Sequence, residues 1–368
     1  MMYKKMFFSL LSSVFIIMCL IAFLISFLDP LHFFSWNHKW NHLQNAIDER
    51  LQKTNDLFFN THPTYEGILI GSSKVTYMNT EDFVRPVFNY SASAMWPIEY
   101  GEYIKFFKQR NRGNLKKIYL GLDFNSQKEN KIAFPFPSTY IKKTTAPLYR
   151  WKSLLNLSIL YQYYRQNFCQ PQEFPYDRKD ARWYFPLKEN EKMDPWDFYK
   201  SIKSCENHLY DESFKKILIQ IKKENSSSEF IVFTNPVTKE ILSLIFYHNL
   251  QDLYFRWLQE IIDTFGSVVH FMTWNSITED SLKNVMDLHH AKPSTCKIII
   301  LKIQGLTSDP TDFGIILTKE NFTSFKSDFL QNAESRKNEI TEMMNTYSRE
   351  ITENKEYIKN KALNEFHP

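Results

Sequence analysis

Residues 6–28 hold 23 consecutive positions without a charged side chain. In a helix rising 1.5 Å per residue such a run covers about 35 Å, enough to cross a hydrocarbon core of about 30 Å. A cleavable export signal has a shorter apolar region, about 7–15 residues, and ends on a small-x-small site. Leu24-Ile25-Ser26 is a poor site of that kind, and Cys19 follows Ile16-Ile17-Met18, without the small residue that lipid attachment requires. The run therefore reads as an uncleaved anchor. Lys4 and Lys5 precede it and Asp29 is the first charge after it. The positive-inside bias then predicts a single pass through the cytoplasmic (inner) membrane. The N-terminus would be cytoplasmic and the other ~340 residues periplasmic or extracellular.

Beyond the anchor the charges almost balance. The chain carries 45 Lys and Arg against 41 Asp and Glu, and Lys4 and Lys5 supply two of the four net positive charges. No electrostatic footprint for nucleic acid is present. Glycine is scarce, with eight in 368 residues against a usual share of about 7%. Neither GxGxxG nor GxxxxGKS/T occurs, which argues against phosphate-cradling loops. The few glycines are expected where the backbone tolerates no side chain. Cys169, Cys205 and Cys296 follow the anchor; an oxidising compartment permits one bridge, and Cys169–Cys205 is expected because both fall in one insertion. The histidines apart from His289 and His290 show no metal-ligand spacing, so neither a metal nor another cofactor is expected.

Organisation follows from the alternation of apolar runs. Residues 1–29 are the cytoplasmic tip and anchor, and 30–62 a membrane-proximal stem with Trp36 and Trp40 suited to the interface. Residues 63–330 read as an α/β domain. Strands are expected at 66–71, 116–123, 229–234 and 267–272, with a strand and turn over 88–94. Helices are expected at 98–110, 239–265 and 293–304. This alternation predicts a mainly parallel sheet covered on both faces, a three-layer sandwich. An insertion at about 126–210 is rich in aromatics, with 17 in residues 126–200, including Trp151, Trp183, Tyr184 and Trp196. Such density packs a lid more often than it stacks on sugars. Residues 331–368 form a charged amphipathic helical tail, read as a solvated surface helix.

In parallel sheets ligands bind beyond the carboxyl ends of the strands. Ser72, Ser73 and Lys74 follow the first strand, Asp123 the second, and Asp287-Leu-His-His290 precedes the last helix. A serine hydroxyl becomes a nucleophile when an imidazole takes its proton, and a carboxylate fixes the imidazole tautomer. Ser73, His290 and Asp287 can supply those three roles, with His289 as the alternative base.

The pattern resembles the SGNH/GDSL hydrolase superfamily. Gly71-Ser72-Ser73 resembles its first block, with Ser73 at the nucleophile position, and Asp287-x-x-His290 its last. Asn89 to Ala94 resembles the second block, which puts Asn89 on the oxyanion or substrate side and Ala94 where a glycine normally donates a backbone N–H to the oxyanion. Gly121-Leu-Asp123 resembles the third, with Asp123 where asparagine is usual. Ala94 keeps the amide donor; Asp123 could donate only if protonated, and otherwise caps a segment or binds amides. A Gly-Ser-Ser block behind one anchor is similar to a cell-envelope branch that includes the D-alanylation protein DltD and the alginate acetylation proteins. The resemblance covers roughly residues 66–125 and 228–325. It implies a serine-dependent O-acyltransferase or esterase acting on a cell-envelope glycan or similar acyl ester, beside a multi-spanning acyl-donor membrane protein. The alternative is a catalytically inactive module of the same fold that binds glycan or scaffolds an envelope acylation complex. A third, weaker reading makes the protein an adaptor in which the tail does the work.

Overall fold

The computed structural model describes residues 2–34, 43–45, 47–112, 114–124, 135–169, 176–177, 194–307 and 309–365. Trp36, Trp40, Trp183 and Tyr184 lie outside them. Met2–Leu28 is one helix of 27 residues, long and apolar enough to cross a membrane, and its side chains are almost all exposed.

The apolar runs form a six-stranded sheet: β1 Gly67–Ile70, β2 Val87–Asn89, β3 Lys117–Leu122, β4 Glu229–Thr234, β5 Ser267–His270 and β6 Ile315–Thr318. The order is β2-β1-β3-β4-β5-β6, parallel except for the antiparallel edge strand β6. Alternate residues serve opposite faces, as the two-residue strand period requires. Ile68, Ile70, Ile118, Leu120 and Val232 belong to the larger core, with Tyr103, Leu218 and Leu258 from covering helices. Leu69, Tyr119 and Phe233 belong to the smaller one, with Val75, Ile299 and Ile300. Helices therefore cover both faces. The chain enters the sheet at β1, one strand in from the edge, passes to the edge strand β2 and then returns past β1 to β3, so that its direction reverses between β1 and β3, which opens a crevice at their carboxyl ends.

Two glycines shape that crevice. A Cβ on Gly71 or on Gly121 would stand 2.5 Å from Val75 Cγ2, and Val75 is fully buried in the short helix Ser73–Thr76. The missing side chains let this helix seat directly on β1 and β3. Gly71→Ala is expected to destabilise the fold by about 1–3 kcal/mol, the usual cost of overpacking. Gly101 serves as the control: its Cβ would meet nothing closer than 3.7 Å, within helix Pro97–Arg110, so Gly101→Ala should stabilise by up to about 1 kcal/mol. Chemical denaturation of both variants checks the contrast.

The structure departs from the sequence reading in several places. The expected helix over 239–265 is two helices, Lys239–Tyr247 and Gln251–Phe265, broken at Asn249 with φ +55°, a conformation asparagine tolerates better than most residues. Cys169 and Cys205 are free thiols rather than a bridge. Cys205 packs against the main core, whereas Cys169 is exposed at the end of a separate helical unit. The tail is docked rather than solvated. Ile340 and Met344 are buried, Tyr347 stacks on Phe198 at 3.8 Å, and helix Lys337–Glu353 packs against helices Pro195–Glu206 and Lys239–Tyr247.

His270, at the end of β5, is fully buried with its ring bonded to Thr234 Oγ1 at 2.9 Å and Tyr254 Oη at 2.6 Å. Burial pushes its pKa down to about 3. The unfolded chain, with an ordinary histidine near 6.5, therefore binds the proton more readily than the fold does. Stability is complete above about pH 6.5 and lost as pH falls towards 3, by about 2 kcal/mol between pH 6.5 and 5. Unfolding free energies of the wild type and His270→Gln at both pH values should show that difference only in the wild type.

Candidate active site

Ser73 opens the four-residue helix Ser73–Thr76 directly after β1, and Ser72 caps that helix by accepting the Lys74 N–H at 3.3 Å. As the first helical residue, Ser73 has a backbone N–H with no intrahelical acceptor. On the far side of the crevice, residues 285–291 form a tight loop closed by an antiparallel bridge between Val285 and Ala291. Asp287 organises this loop. Its Oδ1 accepts the backbone N–H groups of His289 at 2.7 Å and His290 at 2.8 Å. Its Oδ2 lies 2.6 Å from His290 Nδ1, and His290 Nε2 lies 2.8 Å from Ser73 Oγ. Residues 217 positions apart are thus joined in one hydrogen-bonded line.

The electrostatics give that line a direction. Burial works against the Asp287 carboxylate, but the facing His290 and the backbone amides hold its pKa well below the ordinary range. An ionised carboxylate only accepts, so Nδ1 carries the imidazole proton and Nε2 is left to accept from the serine hydroxyl. Tyr77 packs edge-on to the His290 ring at 5.5 Å. Ser73 and His290 line a cleft of about 230 Å³ together with Ser72, Lys74, Ala94 and Trp96.

The remaining predicted residues take different places. Ala94 lines the cleft with φ +47°. This left-handed backbone is the physical reason a glycine suits the position; a residue with a Cβ is strained there by about 1–2 kcal/mol. After the entropy a glycine costs in the unfolded chain, Ala94→Gly is expected to stabilise by about 0.5–1 kcal/mol, read from its denaturation midpoint. Asn89 was expected beside the substrate, but it is fully buried and braces the serine turn. Its Nδ2 donates to the carbonyls of Val75 and Met78, both at 3.2 Å, and its Oδ1 accepts from Ser91.

Asp123 is corrected as well. Burial alone would raise its pKa, yet Lys74 and the hydrogen bonds from Ser72 and Asn235 outweigh it and hold the carboxyl below its ordinary value. It accepts from Ser72 Oγ at 2.5 Å and Asn235 Nδ2 at 2.9 Å, with Lys74 Nζ at 3.3 Å. Asp123 is an ionised acceptor that braces the cap of the serine turn, and it has no proton to offer an oxyanion. It is His290, not His289, whose ring is hydrogen-bonded to Ser73. His289 Nε2 lies 3.1 Å from Ser201 Oγ, and burial together with nearby Lys74 pushes its pKa down to about 3. With Lys74 it lines both the cleft and a second cavity of about 280 Å³, whose other lining residues include Lys200, Ser201, Cys205, Val237 and Met272.

Residues without a sequence signal hold the Ala94 side in place. The segment 30–62, expected as a stem, contains helix Glu49–Phe59, which is instead largely buried in the domain. Arg50 forms a forked ion pair with Glu99, at 2.8 and 3.0 Å, and donates to the carbonyls of Ser93 at 2.9 Å and Ala94 at 3.2 Å. Glu49 accepts from the Ser93 N–H and hydroxyl, and Lys53 donates to the Ser91 carbonyl. Arg50 is separated from Glu99 by 49 positions, so only the fold brings them together.

Compared with protein-family models the sequence matches none, and among curated proteins it has no match either.

Proposed function

We propose that this protein is a membrane-anchored, extracytoplasmic, serine-dependent O-acyltransferase or esterase of the SGNH-like kind, acting on a cell-envelope glycan or similar acyl ester. The observation that carries this reading is the Ser73–His290–Asp287 line, with contacts of 2.8 and 2.6 Å, at the mouth of a cleft. In this mechanism His290 Nε2 takes the Ser73 hydroxyl proton as Oγ bonds to the acyl carbonyl carbon. The Ser73 and Ala94 backbone N–H groups hold the oxyanion. The tetrahedral intermediate collapses, its alkoxy group leaves with the proton from His290, and the acyl group stays on Ser73. A glycan hydroxyl, or water, then gives its proton to His290 and attacks the ester carbon; the acyl C–Oγ bond breaks as His290 returns that proton to Ser73 Oγ, regenerating the serine. A multi-spanning membrane protein fits as the acyl donor.

The inactive-module reading draws support from Asp123, an anion in the cleft wall where the resembling family carries asparagine. Lys74, 3.3 Å away, offsets that charge, which favours the catalytic reading. The test uses the full chain in detergent, an isotopically labelled nitrophenyl acetate and an oligosaccharide acceptor. The expected result is a labelled acyl group on Ser73 that moves to the sugar. Nitrophenol release no faster than from Ser73→Ala would defeat the proposal.

A further inference from the structure

Helix Leu157–Tyr164 and the turn Arg165–Cys169 that extends it carry an apolar stripe turned away from the protein. Leu157, Tyr161, Tyr164 and Phe168 recur at intervals of four, three and four, and each is between 56% and 68% exposed. Ile159 and Tyr163, on the other side of the same helix, are the buried ones. Nearby Trp151 is 62% exposed. An amphipathic helix normally hides such a stripe against a core. Here the core contact is made and a second apolar face is left over.

Two further observations say what covers it. First, the unit is fixed to the end of the anchor helix. Helix Leu157–Tyr164 touches helix Met2–Leu28, whose sole buried side chain is Ile25, near its exit. Leu31 and Phe33, just past that exit, share a small core with Leu51, Tyr140 and Ile159. Second, residues 135–169 contain Lys142, Lys143, Arg150, Lys152 and Arg165 and no acidic residue at all, in a chain that is otherwise nearly balanced. Arg150 lies 4.0 Å over the Phe34 ring, and the other four are exposed.

We propose that the face formed by Trp151, Leu157, Tyr161, Tyr164 and Phe168 lies in the interface of the bilayer that holds the anchor, its aromatic rings at headgroup depth and its basic residues against anionic headgroups. Exposed aromatic rings flanked by Lys and Arg are the composition of an interfacial helix, and juxtamembrane basic residues add attraction to anionic lipid. The contact makes the domain a second-point attachment rather than a body swinging on a stem. Leu31 and Phe33 connect it to helix Glu49–Phe59, which grips the Ala94 loop, so the proposed site is held at a fixed height above the membrane.

This inference rests on the anchor reading, and the test separates the two. Nitroxide labels are placed singly at Leu157→Cys, Tyr161→Cys, Val14→Cys and Ile219→Cys in the full chain with Cys19, Cys169 and Cys205 replaced by serine. Cys296 can stay, because burial pushes its thiol up to about 12 and leaves it unreactive. The protein is reconstituted in nanodiscs of equimolar phosphatidylcholine and phosphatidylglycerol, and the label's access to oxygen is compared with its access to a water-soluble nickel chelate. The expected oxygen-to-nickel ratio at 157 and 161 is severalfold above that at 219, an exposed position on helix Phe214–Glu224, and below that at 14. Water-like ratios at 157 and 161 with a lipid-like ratio at 14 would overturn the interfacial face alone, as burial under a protein partner would. A water-like ratio at 14 would overturn the anchor itself.

Discussion

Replacing His290 with alanine is expected to slow acylation of Ser73 by about four to six orders of magnitude. Without Nε2 at 2.8 Å the hydroxyl has no base, and its own acidity is far too weak to supply an alkoxide near neutral pH. Asp287→Asn should cost about 10⁴-fold for a different reason. An amide facing Nδ1 can donate, which favours the tautomer that carries its proton on Nε2, where an acceptor is needed. His289→Ala should stay within about tenfold of the wild type, since general-base assistance at the wrong histidine contributes nothing. Its imidazole faces Ser201 instead. Single-turnover acylation by a chromogenic ester, followed in all three variants with circular dichroism as a folding control, reads these differences. A larger loss in His289→Ala than in His290→Ala would reverse the assignment.

Arg50→Met is expected to destabilise the fold by about 3–5 kcal/mol, because it strands the Glu99 carboxylate in a buried site without its partner. Both side chains of the pair are at most 3% exposed, so water cannot replace the guanidinium. The Ser93 and Ala94 carbonyls lose their donors in the same step. The double variant Arg50→Met with Glu99→Gln removes the stranded charge and should recover part of the stability while leaving the Ala94 loop loose. Its acylation rate should therefore remain below that of the wild type when both are compared well under their melting temperatures. Urea denaturation and acylation rates on the single and double variants separate the two effects. Equal stability of Arg50→Met and the wild type would show that the ion pair contributes nothing net.

What the sequence makes legible follows the range over which its signals act. Strands β1, β3 and β4 announce themselves as short apolar runs bounded by charge, and their ends mark where Ser73 and Asp123 fall. Asp287 and His290 sit within one turn, so their spacing alone states that they can pair. Two readings failed because burial and partner choice are tertiary facts. Asp123 falls where the resemblance puts an oxyanion contact; nothing local says that Lys74, Ser72 and Asn235 converge on it and keep it ionised instead. Asn89 carries the right residue type two positions before a serine, yet its side chain is spent on the carbonyls of Val75 and Met78. The support from Arg50 and Glu49 was hidden for another reason: helix Glu49–Phe59 reads as a polar stem, and only the fold buries its charges against the Ser91–Ala94 loop.

The scarcity of glycine, by contrast, was informative at two places and misleading at a third. Gly71 and Gly121 are where Val75 leaves no room for a Cβ. At Ala94 an N–H donor is retained, but at a backbone angle that a side chain makes costly. The aromatic insertion divides in a way composition alone could not show. Phe198 packs under the tail at 3.8 Å from Tyr347, whereas Tyr161 and Phe168 face outward, on the unit that touches the N-terminal helix.

The central claim is that Ser73 is an activated nucleophile. The most direct measurement treats the folded full-length protein in detergent with a fluorophosphonate probe, then locates the adduct by peptide mass spectrometry. The account predicts a single stoichiometric adduct on Ser73, lost in Ser73→Ala and strongly slowed in His290→Ala. A folded wild type that takes up no probe, or an adduct that persists in Ser73→Ala, would contradict it.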